Sequence, residues 1–246
     1  MNIDVFIFLL FFIVLVAGVV LVICLLRARA EYYKSDYSQQ TDHSYWDVLT
    51  DQGVRGEFHT ATLLNPFRFQ SARVLYNLYI PTYNDHTTEI DAVLITHSGV
   101  FVIETKYRSG WIFGNADQKY WYQTLPTRYG SEKNQFYNPI WQNGTHIRFL
   151  RNLIPRQTPY FSVVVFSDNC TLKQVSTEGS QAYVVYARDL QFLIQRALQI
   201  ERPCLSDTDI QVIYNTLLPY AHADEATKMK HRQQVYQEHR DGGGDR

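Results

Sequence analysis

Residues 5–26 form an unbroken apolar run of 22 residues, rich in Phe, Leu, Ile and Val and without a charge. At about 1.5 Å per residue, a helix of that length crosses a hydrocarbon core of about 30 Å. Lipid offers no partner to backbone N–H and C=O groups, so such a run is stable there only as a helix. A membrane-spanning helix is expected over 5–26. The competing reading is a cleaved signal peptide, because Ala28-Arg29-Ala30 fits a small-residue cleavage site. Against it, the amino-terminal flank holds Asp4 and no Lys or Arg, arginines surround the supposed cut, and the run outlasts the usual apolar core of a leader. Arg27, Arg29 and Lys34 follow the run, so the positive-inside bias places the amino terminus outside and the large C-terminal part in the cytoplasm.

Residues 27–46 read as a polar, tyrosine-rich juxtamembrane linker, residues 47–220 as one folded domain, and residues 221–246 as a mixed-charge tail of frayed helix or disorder. Within the domain, 73–80, 89–96, 100–106 and 119–124 have strand character, as do 161–166 and 182–186. A helix is expected over 47–64. Others should begin at Asn138-Pro139, where an N-cap precedes proline at the first helical position, over 189–199, and at the capping-box pair Ser206 and Asp209. Strands mixed with helices in this order imply an α/β domain with a mixed central sheet flanked by helices. Cys24 lies in the apolar run, and Cys170 and Cys204 have neither a disulfide framework nor zinc-ligand spacing.

Two of the strands carry charges where charges are costly. Ile90, Ala92, Val93, Leu94, Ile95, Val100, Phe101, Val102 and Ile103 are apolar on both faces, the pattern of strands covered on each side. Among them stand Asp91, Glu104 and Lys106. Residues two apart share a face, so Glu104 and Lys106 project together. With Ser98-Gly99 as a two-residue hairpin loop, Asp91 falls opposite Lys106 and diagonal to Glu104. Two carboxylates on one apolar sheet repel unless a cation is bound, and Mg2+ or Mn2+ suits one or two carboxylates because it keeps waters and takes further ligands from a phosphate. Taken alone, a Glu-x-Lys pair more commonly marks a solvated strand face.

The surrounding motifs narrow the reading. Gly53-Val54-Arg55-Gly56-Glu57, Glu89-Ile90-Asp91, Gly99 through Glu104-Thr105-Lys106, Gly110-Trp111-Ile112-Phe113-Gly114, Trp121, and Asn138-Pro139-Ile140-Trp141-Gln142-Asn143 with His146 occur in this order. Over about residues 50–170 they resemble the nuclease-related domain, NERD, a family assigned to the PD-(D/E)xK nuclease superfamily. The resemblance implies a restriction-endonuclease-like fold in which Glu57 is the acid of the first helix, Asp91 the metal-binding aspartate, Glu104 and Lys106 the E-x-K pair, and Gln142 the glutamine of the following helix. It supports the site more firmly than the substrate. His146, on the same helix face as Gln142, is expected to be a satisfied or solvent-facing histidine.

Net charge is −1 with a pI near 6.7, without the broad basic footprint of a nucleic-acid binder. The distribution is uneven, since residues 106–156 balance at +6. Arg108, Lys119, Arg128, Lys133, Arg148 and Arg151 are the candidate phosphate contacts, though scattered surface charges are the commoner explanation. Trp111, Tyr120, Trp121 and Tyr122 lie among them, as core aromatics or as stacking platforms. The expected function is Mg2+-dependent hydrolysis of DNA or RNA by a membrane-anchored protein; the alternative is a non-catalytic module that tethers nucleic acid or protein at the membrane. The charge asymmetry around the apolar run gives a direct test. An epitope placed at the C-terminus should resist protease added to intact cells and be digested only after permeabilisation; digestion on intact cells reverses the assigned orientation.

Overall fold

The computed structural model describes residues 3–68 and 71–242. Met1, Asn2 and residues 243–246, which fall in the amino-terminal flank and the tail of the sequence reading, lie outside them. The chain opens with α1 (Ile3–Lys34), a helix long and apolar enough to cross a membrane, and none of its apolar window is covered by protein. Short helices α2 (Asp36–Gln40) and α3 (Tyr45–Thr50) lead to α4 (Gln52–Arg68). Three strands follow, β1 (Arg73–Pro81), β2 (Thr87–Thr96) and β3 (Gly99–Lys106), then β4 (Gly110–Asn115), β5 (Tyr120–Thr127) and β6 (Gly130–Tyr137). Helix α5 (Pro139–Leu150) precedes β7 (Tyr160–Phe166), β8 (Cys170–Ser176) and β9 (Ala182–Tyr186). The chain continues through α6 (Leu190–Ile200), α7 (Asp207–Ala221) and α8 (Glu225–Gly242).

The strands form two mixed sheets. The first has the order β1-β2-β3-β7-β9, antiparallel from β1 to β3 and parallel from β3 to β9. The second has the order β6-β5-β4-β8, with β8 parallel to β4. Three apolar clusters hold the layers together. Leu64 and Phe67 of α4, with Tyr32, Tyr37 and Leu190, cover one face of the first sheet, while Phe149 and Leu150 of α5 and Ile213 and Leu217 of α7 cover the other. Between the sheets, Trp121 stacks on Phe166 at 6.1 Å with an interplanar angle of 4°.

The expected α/β architecture with helices on both sides of a mixed sheet is present, and it is joined by a second sheet. Three strands were not read from the sequence, β4, β6 and β8. Strand β6 is mostly exposed and polar, and its ladder to β5, from Tyr120↔Tyr137 to Thr127↔Gly130, is what defines it. The helix expected over 47–64 is divided at Asp51, which is extended (φ −99°, ψ 126°) and caps α4 by accepting the Val54 N–H at 3.0 Å. Residues 27–46 are largely ordered: α1 runs to Lys34, and Tyr32 and Tyr37 are buried. Residues 225–242 are helical, with Lys228 paired to Asp42 and His231 buried against β2.

Hairpin β2–β3 departs from the expected register. Thr96 pairs with Gly99, so the loop is His97-Ser98 instead of Ser98-Gly99. Gly99 has φ 136° and its Cα lies against the Pro159 carbonyl, a position closed to a side chain. The Thr96 hydroxyl also donates to the Gly99 carbonyl at 2.9 Å, fixing the closing pair. In this register Asp91 lies across from Glu104, not Lys106.

Packing between the sheets generates a test at two glycines. A methyl at Gly114 would fall on the Trp121 indole, whereas nothing surrounds Gly144 on α5. Gly114→Ala should destabilise the protein by about 1–3 kcal/mol, and Gly144→Ala should leave it unchanged or stabilise it by about 0.5–1 kcal/mol, as read by thermal melting.

Candidate active site

Strict alternation fails at one place in the first sheet. Leu75 and Leu78 of β1 lie in the same core cluster although three residues apart, and so do Ile90 and Val93 of β2. The inversions face each other, because the β1–β2 ladder runs from Tyr76↔Ala92 to Leu78↔Ile90 and omits Asn77 and Asp91. Asn77 adopts φ 49°, a conformation that asparagine tolerates better than most residues. The β2–β3 ladder ends beside it at Ala92↔Ile103, and the Thr105 N–H donates to the Asp91 carboxylate at 2.6 Å. Asp91 thus occupies a gap in the sheet that is reached from the helices on either side.

On the α5 side stand Glu104 and Lys106, as their shared parity requires. The Glu104 side chain is 2% exposed and has partners on both oxygens. Lys106 Nζ lies 2.6 Å from Oε1 and His146 Nε2 lies 3.0 Å from Oε2. Lys106 also donates to Gln142 Oε1 at 3.0 Å. His146 Nδ1 is 2.8 Å from the Thr88 hydroxyl, so a ring donating to Glu104 from Nε2 accepts from Thr88 at Nδ1. Asn143 fixes α5 against the sheet, its amide donating to the Val102 carbonyl at 2.9 Å and to Ser162 Oγ at 3.0 Å.

Glu57 approaches from the α4 side. Its Oε2 accepts from the Tyr37 hydroxyl at 2.8 Å and from Asn77 Nδ2 at 3.1 Å, and His43 Nε2 is 4.0 Å away. Asn77 therefore links Glu57 of α4 to the irregular pair in the sheet. Glu89, two residues before Asp91, accepts from the Tyr79 hydroxyl at 2.8 Å and faces His231 of α8 at 3.6 Å.

The charges do not cancel evenly. Burial and the anions Glu104 and Glu57 push the Asp91 carboxyl well above the usual carboxylate range, against the opposing pull of Lys106 and the Thr105 N–H. Burial acts upward on Glu104 too, but Lys106 and His146 outweigh it and hold this carboxyl below its ordinary value. Glu89 is pushed up to about 7 by burial and by Glu57. Asp91, Glu104, Glu57 and Glu89 outnumber the single lysine, Lys106, which pairs with Glu104, so the cluster carries unbalanced negative charge. Among the described residues, no group of three His, Cys, Asp or Glu side chains forms a closed metal site. The donors Asp91 and Glu104 instead fit a hard cation that needs only one or two carboxylates and retains its waters.

Of the residues singled out from the sequence, Asp91, Glu104, Lys106 and Gln142 come together and Glu57 reaches the cluster through Asn77. The basic candidates are dispersed. Arg108 is turned between the sheets, 4.0 Å above the Phe136 ring with an N–H donated to Gln123. Lys119 and Lys133 are exposed over Tyr120 and Tyr122, Arg128 is in the β5–β6 turn, and Arg148 and Arg151 are exposed toward the end of α5. Trp121 is core, whereas Trp111 is 51% exposed. Sequence reasoning missed Tyr37, Asn77 and Glu89, and gave His146 no part. Asn77 did leave a signal, as a lone polar residue within the apolar run Val74-Leu75-Tyr76-Asn77-Leu78-Tyr79-Ile80.

The profile of the nuclease-related domain, NERD, matches residues 52–167, which contain Glu57, Asp91, Glu104, Lys106 and Gln142. An uncharacterized protein of Bacillus anthracis is 33% identical over 180 residues, covering 73% of this chain and 82% of that protein. No solved structure matches the chain. The chain belongs to the NERD family.

A carboxyl whose folded pKa is raised stabilises the fold when protonated, and that contribution is lost as pH rises through the folded value. Without divalent ions the protein should therefore melt higher at pH 6 than at pH 8, since Glu89 titrates near 7 and Asp91 is also raised. Glu89→Gln should narrow that difference and Asp91→Asn should raise the melting temperature at pH 8, because each removes an unbalanced anion. Melting curves in EDTA that rise with pH, or an Asp91→Asn variant that melts lower, would contradict this electrostatic picture.

Proposed function

We propose that the protein is a membrane-anchored, metal-dependent phosphodiester hydrolase acting on DNA or RNA. The observation that carries this reading is the meeting of Asp91, Glu104, Lys106 and Gln142 at a gap in an otherwise apolar sheet, within a nuclease-related domain. In this reading α1 is the anchor and Asp91 and Glu104 hold Mg2+ or Mn2+. When bound, the ion supplies Lewis acidity toward a phosphoryl oxygen and lowers the pKa of a bound water.

The remaining work falls to the chain's own groups. Lys106, held between Glu104 and Gln142, places a cation where charge develops on the phosphoryl oxygens and can orient the attacking water. Gln142 fixes the ammonium so that it does not collapse onto Glu104 alone. His146, buried between Thr88 and Glu104, keeps that carboxylate in one orientation. Glu57 adds negative potential near Asp91, which favours cation binding over a vacant cluster.

Lys106→Ala should lower metal-dependent cleavage by about 10²–10³-fold at temperatures where it is folded, and in EDTA it should also melt lower than wild type, because it removes one of the two partners of buried Glu104. Glu104→Gln should abolish Mn2+ binding measured by calorimetry. Equal cleavage by wild type and Lys106→Ala would refute the assignment. Nucleic-acid binding that needs no metal and leads to no cleavage would favour the tethering role.

A further inference from the structure

One face of the second sheet packs on Val164 and Phe166, and the other has no layer over it among the described residues. Ile112, Trp121 and Phe136 point into the buried cluster. Alternation then turns their strand neighbours outward. Cross-strand pairing sets these side by side: Tyr120 beside Tyr137, Phe113 beside Tyr122, and Trp111 beside Thr124, which pairs in turn with Lys133. Trp111 is 51% exposed and Tyr137 41%. Tyr120 meets Tyr137 edge-on at 6.3 Å, and Tyr137 meets Trp141 at the same distance. Trp141, whose indole N–H donates to the Ala116 carbonyl, is on α5, so the aromatic row reaches the helix that carries Gln142 and His146.

The outward charges of the four strands are lysines, joined by Lys119 of the β4–β5 turn, which also carries Asp117. Lys133 Nζ lies 4.4 Å from the Tyr122 ring centroid, Lys119 Nζ 5.2 Å from Tyr120, and Lys173 Nζ 5.7 Å from Trp111. No Asp or Glu occupies an outward position on the four strands; Glu132 lies on the opposite side of β6, where Asn134 donates to it. Aromatic rings with ammonium groups beside them suit a polyanion that has exposed π-faces, which describes unpaired nucleotides. A duplex hides those faces. Lipid headgroups also attract aromatics and lysines, but α1 departs from elsewhere: Tyr32 at its end packs in the cluster beneath α4 and β1, whereas the second sheet lies against β7 and β9 on the other face.

We propose that the outer face of the second sheet binds single-stranded nucleic acid, stacking bases on Trp111, Tyr122, Tyr120 and Tyr137 with phosphates at the flanking lysines, and directs the strand past Trp141 to the Glu104–Lys106 cluster. Its purpose rests on the hydrolase reading above; its binding is separable from it. The face names the substrate class, a single strand bound with little sequence preference.

The test uses the full chain in detergent with EDTA present and labelled oligonucleotides of mixed sequence, single-stranded or duplex. Single strands should bind more tightly than duplex. Trp111→Ala and Tyr122→Ala should each weaken single-strand binding by about tenfold without shifting the melting temperature, and Trp111→Phe should retain most of it. Lys133→Ala should flatten the logarithmic salt slope by about 0.7, the loss of one phosphate contact. Unchanged affinity in both ring variants, or equal binding of duplex, overturns the proposal. So does quenching of Trp111 by brominated lipid in a bilayer disc, read as the difference between wild type and Trp111→Phe. Mg2+-dependent cleavage whose KM ignores Trp111 and Tyr122 removes this proposal and leaves the hydrolase reading; ring-dependent binding without cleavage does the reverse.

Discussion

A carboxylate cannot sit inside an apolar sheet unless something holds its charge, and Glu104 meets that condition through two partners from different directions. Lys106 comes from its own strand and His146 from α5, so the hydrogen bonds to Glu104 also fix where α5 lies relative to β3. Breaking a buried, hydrogen-bonded charge pair costs several kcal/mol, roughly 3–5, because the remaining ion is stranded. The amide of Asn143 then anchors the same helix to β3 and β7. Position of α5, burial of Glu104 and orientation of Lys106 are one mechanical unit.

The topology explains how such a helix reaches the sheet. Between β3 and its parallel neighbour β7 the chain makes a long excursion, building three strands of the second sheet before α5 returns across the first. Asn138 secures the return: its side chain caps α5 at the Ile140 N–H and donates to the carbonyls of Asn115, Ala116 and Gln118 in the β4–β5 turn. The second sheet is therefore tied to the start of the helix that bears Gln142 and His146. At the other end of the domain, Tyr32 and Tyr37 carry the continuation of α1 into the core beside α4, so the apolar helix is fastened to the same layer that supplies Glu57.

The shared face of Glu104 and Lys106 and the start of α5 were legible from spacing because strand and helix periods are local, whereas Glu57 and Gln142 were singled out by resemblance to the family. Glu104 and Lys106 had to share a face, and Asn138-Pro139 had to begin a helix. Two details were not legible for the same reason. The hairpin loop moved by one residue because Gly99 meets Pro159, a contact made across the sheet with the segment entering β7. The expected helix over 47–64 broke at Asp51 because that aspartate turns out of the helix to cap α4, a choice that periodicity does not register.

By itself the sequence determined the apolar membrane-length helix, the α/β alternation and the identity of the clustered acids and lysine, since these follow from hydropathy, local period and residue chemistry. Only the tertiary structure decided that Asp91 faces Glu104, that Asn77 joins Glu57 to the gap, that His146 is buried on Glu104, and that Trp111 looks outward while Trp121 looks in. Each of those depends on which segments distant in the chain become neighbours. A one-residue change of register or one inverted pleat reverses the outcome without altering the composition.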